Sequence, residues 1–312
     1  MVKRIHRVTT VVAGIEQPDA SVRIFHLRDP GGWELPPFTA GAHIDVHLPS
    51  GLIRQYSLSG DPARNDTYTI AVQREDTGRG GSRELHGTVK QGDELLVSLP
   101  RNTFPITADA PVVMIAGGIG ITPFRSAVPL LHNSGPYFKL YYCAGSTERA
   151  SFALMLREHG LEKHVTFHFS DTGDRLDLQA VIEDLAEDTH LYCCGPTRML
   201  NAAAAKADDL GERLHLEHFG GATGIDPAYE VLLARSGQVV PVAPGQTMLQ
   251  ALRAADVDVP ASCEGGVCLD CKCRWMDGTP IHRDLTMVER DREAWITPCV
   301  SGSASSRLTL DL

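Results

Sequence analysis

Cys263-Glu-Gly-Gly-Val-Cys268-Leu-Asp-Cys271, with Cys299 following after a loop-like interval, decides how the last part of the chain folds. Three cysteines at C-x4-C-x2-C with a distant fourth are the plant-type ligand spacing of a [2Fe–2S] cluster. Two irons need four thiolates, and three of them must come from one loop wrapped closely around the cluster. Gly265 and Gly266 supply the permissive backbone that such a wrap demands. The competing readings are a structural zinc site or coincidental buried cysteines. Zinc loops carry paired C-x2-C knuckles, and this sequence has a single such pair. The spacing therefore points to electron transfer.

At 312 residues the chain is too long for a ferredoxin alone and suits two or three domains. Its hydrophobic content, 43%, is ordinary for globular cores, and no apolar run reaches the length of a membrane span. The opening MVKRIHRVTTVV alternates apolar residues with Thr and soon meets Gly14 and Glu16, so a strand is expected there rather than a signal segment. Of the eight cysteines, four belong to the loop pattern. Cys143, Cys193 and Cys194 lie in apolar strand-like runs, and Cys273 sits just past the loop. This usage implies a reducing cytoplasm. A formal charge of −10 argues against nucleic acid and favours a protein partner with a basic face.

Up to about residue 105 the chain reads as short alternating strands broken by Gly, Pro and Asp, the pattern of a small antiparallel barrel. In Ala42–Leu48, Ile44, Val46 and Leu48 share one face. His43, Asp45 and His47 share the other, which is expected to be solvated rather than a metal site. From Pro111 the rhythm becomes strand, helix, strand. Strands are expected at Val112–Ala116, Leu140–Ala144, Val165–Phe169 and Leu191–Cys194. Helices are expected near Pro123–Leu131, Arg149–His159, Leu178–Ala186 and Arg198–Asp208, with Asp177 as an N-cap. Phe219–Pro227 is glycine-rich and reads as a linker. Beyond it come two strands, a helix with a capping box at Thr247–Gln250, the cysteine loop, and a final strand at Leu308–Leu312. The chain is thus multidomain: an antiparallel β-barrel, a parallel-sheet α/β layer, and a small α+β domain.

Two further stretches carry chemistry. Ala116-Gly-Gly-Ile-Gly-Ile-Thr-Pro123 follows a strand and opens a helix, where glycines let the backbone approach a pyrophosphate. Pro123 suits the first helical position, although it departs from the Rossmann pattern by standing at the third glycine's place. Cys194-Gly-Pro196 ends another strand and puts a thiol at the carboxyl edge of the sheet; a small buried residue is the plainer account of that cysteine. In the barrel, Arg54-Gln-Tyr-Ser-Leu58 and Gly78-Arg-Gly-Gly-Ser82 combine a guanidinium with a glycine-rich helix start, both suited to a phosphate. Tyr56 offers a ring for stacking and Ser57 a hydroxyl. Taken singly, these are also a strand tyrosine, a turn serine and a flexible loop.

In this order, R-x-Y-S, G-G-x-G-x-T-P and C-G-P resemble the ferredoxin-NADP reductase superfamily. With the cysteine loop behind them, the chain is similar over essentially its whole length to the phthalate dioxygenase reductase family, which includes vanillate demethylase reductases. Glu217-His-Phe-Gly220, His282-Arg-Asp284 and Pro298-Cys-Val-Ser301 extend the likeness. The resemblance implies FMN in a barrel domain (1–105), NADH on an α/β domain (106–222) and [2Fe–2S] in a β-grasp ferredoxin domain (228–312). It implies that Arg54, Gly80, Gly81 and Ser82 hold the FMN phosphate and that Tyr56, Leu58 and Val72 line the flavin. Ser57 lies near N5, and Phe219 covers the flavin face. Gly117, Gly118, Gly120, Pro123, Gly195 and Pro196 shape the nucleotide site, with Thr122 and Cys194 framing the nicotinamide. Ser57, Thr122 and Cys194 are the implied catalytic set. Asp171, set at the ribose, favours NADH over NADPH. The metal ligands are Cys263, Cys268, Cys271 and Cys299.

The implied activity feeds electrons from NADH to a Rieske-type oxygenase component by a monomeric cytoplasmic protein that binds neither nucleic acid nor membrane. A cytochrome P450 as acceptor, or a redox carrier or sensor with a vestigial nucleotide domain, are the alternatives. Two residues depart from the family pattern. Leu269 stands where many members have Gly, and Asp270 where they have Ser or Thr. The Asp270 charge disfavours cluster reduction, and a hydrogen bond to sulfur is given up.

Overall fold

The computed structural model describes residues 7–134, 137–153, 156, 161–220 and 226–312. The chain forms two compact units, one up to Glu217 and one from His218. Among the described residues no helix is long and apolar enough to cross a membrane.

The first unit begins with β1 (Arg7–Glu16), β2 (Val22–Arg28), β3 (His43–His47), β4 (Ile53–Ser57), β5 (Tyr68–Gln73) and β6 (Glu94–Ser98). They pair antiparallel in the order β4-β3-β6-β1-β2-β5, and a bridge from Leu58 to Ile70 brings the two ends together. The expected barrel is therefore present. Its alternating positions converge on a core that includes Val12, Phe25, Ile44, Val46, Tyr68 and Ile70. Helix α1 (Gly81–Gly87) contributes Leu85 to that core.

One face of β3 departs from expectation. Ile44, Val46 and Leu48 are buried as anticipated, but His43 and Asp45 are 7% and 5% exposed, not solvated. The chain leaving β6 folds over them. Arg101 exchanges backbone hydrogen bonds with His43 at 2.8 and 3.0 Å, and its guanidinium meets the Asp45 carboxylate at 2.7 Å. Ser98 Oγ accepts from the Asp45 amide at 2.9 Å. Strand alternation marks two faces, but not what a distant segment lays over the second one.

The second layer holds β7 (Val112–Gly117), β8 (Phe138–Ala144), β9 (Val165–Phe169), β10 (His190–Cys194) and β11 (Leu214–Glu217), all parallel in the order β11-β10-β7-β8-β9. Among its helices are α2 (Thr122–Ser134), α3 (Leu178–Glu183) and α4 (Thr197–Lys206), the last two ending short of the expected bounds. Asp177 caps α3 by accepting from the amides of Gln179 and Ala180. A 3-10 turn, Thr147–Arg149, ends where the helix expected at Arg149–His159 begins; within that span Ala153 and Leu156 are helical, and 154–155 and 157–159 lie outside the described residues. Val22, Ala71, Phe104 and Ile106 join the α/β core, where the Phe104 ring meets Phe124 and Tyr192. This shared apolar seam makes barrel and α/β layer one unit.

The second unit contains β12 (Tyr229–Leu233), β13 (Val239–Val242), α5 (Met248–Ala254), β14 (Cys273–Asp277), β15 (Pro280–Ile281), α6 (Glu289–Arg292), β16 (Trp295–Ile296), β17 (Gly302–Ser303) and β18 (Arg307–Leu310). The mixed sheet runs β13-β12-β18-β14-β16, with β12 and β18 parallel. Helix α5 buries Met248, Leu249, Ala251 and Leu252 in the unit's core. The Thr247–Gln250 capping box forms as the sequence predicts.

Arg101→Ala takes the cation from a buried carboxylate, and we expect a cost of about 2 kcal/mol. His47→Ala on the same strand should change stability by no more than about 0.5 kcal/mol. Urea denaturation of both variants reads the difference.

Candidate functional site

The cysteine loop connects α5 to β14 and brings its three thiols to the segment that carries Cys299. Cys263, Cys271 and Cys299 are buried, Cys268 is partly exposed, and none is in a disulfide. The thiols meet as two hydrogen-bonded pairs, Cys268 with Cys263 and Cys299 with Cys271. Pairing lowers the Cys263 thiol and raises that of Cys268, and likewise lowers Cys271 and raises Cys299. Among the described residues no three His, Cys, Asp or Glu converge as a single-ion site. Two thiol pairs suit two irons, each with two sulfur ligands.

Backbone amides turn toward these sulfurs. Cys263 Sγ accepts from Gly265 N at 3.2 Å and Cys268 N at 3.4 Å. Asp270 is exposed. Gly266 sits at φ +73°, where a Cβ would come within 2.6 Å of Val300, so the wrap tolerates no side chain there. Glu264 and Leu269 also have left-handed backbones, at φ 47° and 61°, each costing about 1–2 kcal/mol for a residue with a side chain. The Glu264 carboxylate is held by Arg253 of α5 at 2.6 Å.

At the carboxyl edge of the parallel sheet, the turn after β7 and the turn after β10 pack backbone to backbone. A Cβ on Gly117 would lie 2.5 Å from Pro196, one on Gly195 2.9 Å from the Gly117 Cα, and one on Gly120 would collide with the Cys194 carbonyl. These glycines thus serve the meeting of two turns as well as any ligand. Gly118 follows Gly117 in a 3-10 turn that leads directly into Thr122 and Pro123 of α2. Thr122 is buried, its hydroxyl bonded to the Ile119 carbonyl at 3.0 Å. Cys194 lies beside Ala116 on one side and Glu217 on the other.

Glu217 did not stand out in the sequence beyond its place in a shared tetrapeptide. The parallel register of β10 and β11 puts its carboxyl against the Cys194 thiol, which donates to it. Burial pushes the Glu217 carboxyl up to about 8, against the hydrogen bond from Cys194, and burial also raises the Cys194 thiol well above its ordinary value. One Glu217 oxygen is buried without a partner. At neutral pH this pair is an uncharged acid and thiol. An acidic residue ending an apolar strand was the available signal, but only register identifies its partner.

In the barrel, Arg54 is buried and its guanidinium bonds the carbonyls of Ile53 and Arg79 at 2.7 and 2.8 Å. Its stem crosses Gly81, where a Cβ would come within 2.5 Å, and Gly80 takes φ +90° at the start of α1. Arg54, Gly80 and Gly81 are therefore together. The Ser82 hydroxyl accepts from Glu75 N at 3.0 Å. Tyr56 is partly buried on β4, and desolvation pushes its hydroxyl's pKa up. Ser57 is buried beside it, while Leu58 and Val72 point into the barrel core and offer a ligand only their backbones. Asp171 is exposed in a 3-10 turn after β9, its amide bonded to the Gly145 carbonyl at 3.1 Å. Phe219 belongs to the second unit and is 48% exposed.

The Glu217 carboxyl makes stability pH-dependent. Below its free value of 4.5 folded and unfolded chains both hold the proton; above it the unfolded chain ionises first while the folded one keeps the proton to about 8. Stability therefore falls across that window, by about 1.4 kcal/mol per pH unit at most. Glu217→Gln should remove this slope in urea denaturation repeated along the pH range.

Residues 231–302 match the model of the 2Fe-2S iron-sulfur cluster binding domain. The chain is 44% identical over 298 residues to phenoxybenzoate dioxygenase subunit beta of Ectopseudomonas oleovorans, covering 93% of each chain. It is 42% identical to the vanillate O-demethylase oxidoreductase of a Pseudomonas species, over 92% of this chain and 93% of that one. Among solved structures, phthalate dioxygenase reductase, described as a modular structure for electron transfer from pyridine nucleotides to [2Fe–2S], superposes with a TM-score of 0.87 at 35% identity over 98% of both chains. With similarity end to end, and a cysteine loop, a glycine-turn pair and an Arg54 cradle each assembled, this chain is an oxidoreductase of the phthalate dioxygenase reductase family.

Proposed function

We propose that this protein draws electrons from NADH and hands them, one at a time, through FMN and a [2Fe–2S] cluster to a Rieske-type oxygenase component. The observation that carries the reading is the assembly of four cysteines, in two thiol pairs with amides aimed at sulfur, behind a unit that combines the barrel and the parallel sheet. Bound flavin supplies the conversion of a two-electron hydride into single electrons, which neither NADH nor a [2Fe–2S] centre provides alone.

The chain's own residues have these roles. Arg54 and the Gly80–Ser82 turn hold the FMN phosphate: a guanidinium fixed by two carbonyls cannot swing away, and the turn beside it lacks the bulk that would block approach. Tyr56 and Ser57 border the ring. The Gly117–Pro123 turn and Cys194–Pro196 receive the dinucleotide, with Thr122 and Cys194 against the nicotinamide. Glu217 keeps Cys194 protonated, so this pair places no anion beside the bound dinucleotide. Asp171, an exposed carboxylate at the carboxyl edge of β9, repels a 2′-phosphate and selects NADH over NADPH. Cys263, Cys268, Cys271 and Cys299 ligate the cluster. Residues 1–105, 106–222 and 228–312 act as flavin, nucleotide and cluster domains of a cytoplasmic monomer that docks only transiently on its oxygenase.

The purified protein should show both flavin and iron–sulfur bands. Cys299→Ser should lose the iron–sulfur bands and keep the flavin. Absence of either chromophore from the reconstituted wild type would overturn the reading.

Stopped-flow reduction with NADH, and with NADPH as control, tests the nucleotide site. Cys194→Ala should slow flavin reduction by about 10-fold or more, the range of a lost positioning contact, while leaving the cluster spectrum intact. An unchanged rate removes that role from Cys194.

A further inference from the structure

Arg283, within His282-Arg-Asp284, is not among the residues assigned to flavin, nucleotide or cluster. Its guanidinium nevertheless grips the Asp226 carboxylate with two nitrogens on two oxygens, Nη1 on Oδ2 at 2.8 Å and Nη2 on Oδ1. Nη1 also donates to the Val300 carbonyl at 3.2 Å, and the Arg283 amide donates to Ser301 Oγ at 3.4 Å. The two side chains are 17% and 14% exposed, so this is a shielded two-point pair rather than a swinging surface contact. The fold leaves room for it. A Cβ on Gly302 would collide with the Asp226 carboxylate, and Gly302 has no positive φ to account for the glycine otherwise.

Asp226 lies near the end of the connection between the two units, three residues before Tyr229, where β12 begins. Pro227 and Ala228, between the pair and β12, are exposed. On its other side the pair reaches the segment that carries the cluster ligand Cys299. Val300 follows that cysteine and packs on the loop, where a Cβ on Gly266 would come within 2.6 Å of it. Arg283 therefore joins the connecting chain to the Cys299 segment, and the tether from the first unit stops at Asp226 rather than at Tyr229.

We propose that Asp226 and Arg283 are a positioning pair for electron transfer between the units: they clip the connecting chain to the Cys299 segment and so limit the reach of the tether between flavin and cluster. This rests on the electron path proposed above. Releasing the pair adds residues 226–228 to the tether, up to about 10 Å of extra reach at about 3.4 Å per residue. Electron tunnelling weakens steeply with distance, and the effective concentration of one tethered group at another falls as the tether lengthens. Neither residue belongs to the groups assigned to NADH or flavin, so hydride transfer does not depend on the pair.

Stopped-flow reduction of the holoprotein by NADH reads the two steps apart, flavin at its band and cluster at its own. Asp226→Ala should leave flavin reduction at the wild-type rate and slow flavin-to-cluster transfer several-fold, with the cluster's spectrum and midpoint potential unchanged. Gly302→Ala, whose Cβ displaces the Asp226 carboxylate, should do the same. A Gly-Ser-Gly insertion after Pro227 separates a clip from a simple brace. With the pair intact the insertion lies behind the clip and should not alter transfer; in Asp226→Ala it lengthens the tether and should slow transfer further. Unchanged transfer in Asp226→Ala overturns the proposal, as does an insertion that slows wild type and Asp226→Ala by the same factor. A shifted potential also overturns it, because the pair would then act on the cluster itself. Should Gly302→Ala not accumulate, Asp226→Ala and the insertion decide. A wild-type cluster that NADH does not reduce overturns the electron path instead, an outcome distinct from transfer that ignores Asp226.

Discussion

Two strand ends of the parallel sheet meet with no room for a β-carbon between them, and the carboxyl edge of the sheet depends on that contact. Gly117, Gly120 and Gly195 let the turn after β7 and the turn after β10 touch backbone to backbone. The contact sets Cys194 beside the start of α2, where Thr122 and Pro123 begin the helix. Because β10 also pairs with β11, the same arrangement brings Glu217 against the thiol. A methyl group at any of the three positions would part the turns and loosen every group placed by them.

Both ends of the electron path are built from backbone brought close to a polar centre. At the sheet edge the close approach is glycine against glycine. In the cysteine loop, the amides of Gly265 and Cys268 are turned toward the Cys263 sulfur, with Glu264, between them and Cys263, in a left-handed backbone. Side chains hold these shapes from outside. Arg253 pins Glu264, and a second set of ion pairs supports the segment packed on Gly266: Arg292 meets the fully buried Asp284 at 3.2 Å, and Arg283 is bonded to Asp226. Strain at a functional site persists where surrounding contacts over-determine it, and the Arg253–Glu264 pair is such a contact.

Charge is handled differently at the two sites. Burial keeps Cys194 and Glu217 neutral at the edge where a hydride donor would bind. In the cysteine loop the sulfurs act on one another: pairing lowers the thiols of Cys263 and Cys271 and raises those of Cys268 and Cys299.

Much of this was legible in the order of residues. The C-x4-C-x2-C spacing, the glycine turns at strand ends, the Asp177 and Thr247 caps and the change from alternation to strand–helix rhythm are local patterns, and local patterns survive because covalent neighbours stay neighbours in the fold. Tertiary structure alone decided the rest. Arg101 covers the β3 face that alternation marks as solvated, since a segment far along the chain determines what is buried there. Glu217 becomes the partner of Cys194 through strand register, which relates residues 23 positions apart by hydrogen-bonding geometry rather than by spacing. Leu269 stood out in the sequence as a substitution, and only the folded loop shows its left-handed backbone, at φ 61°.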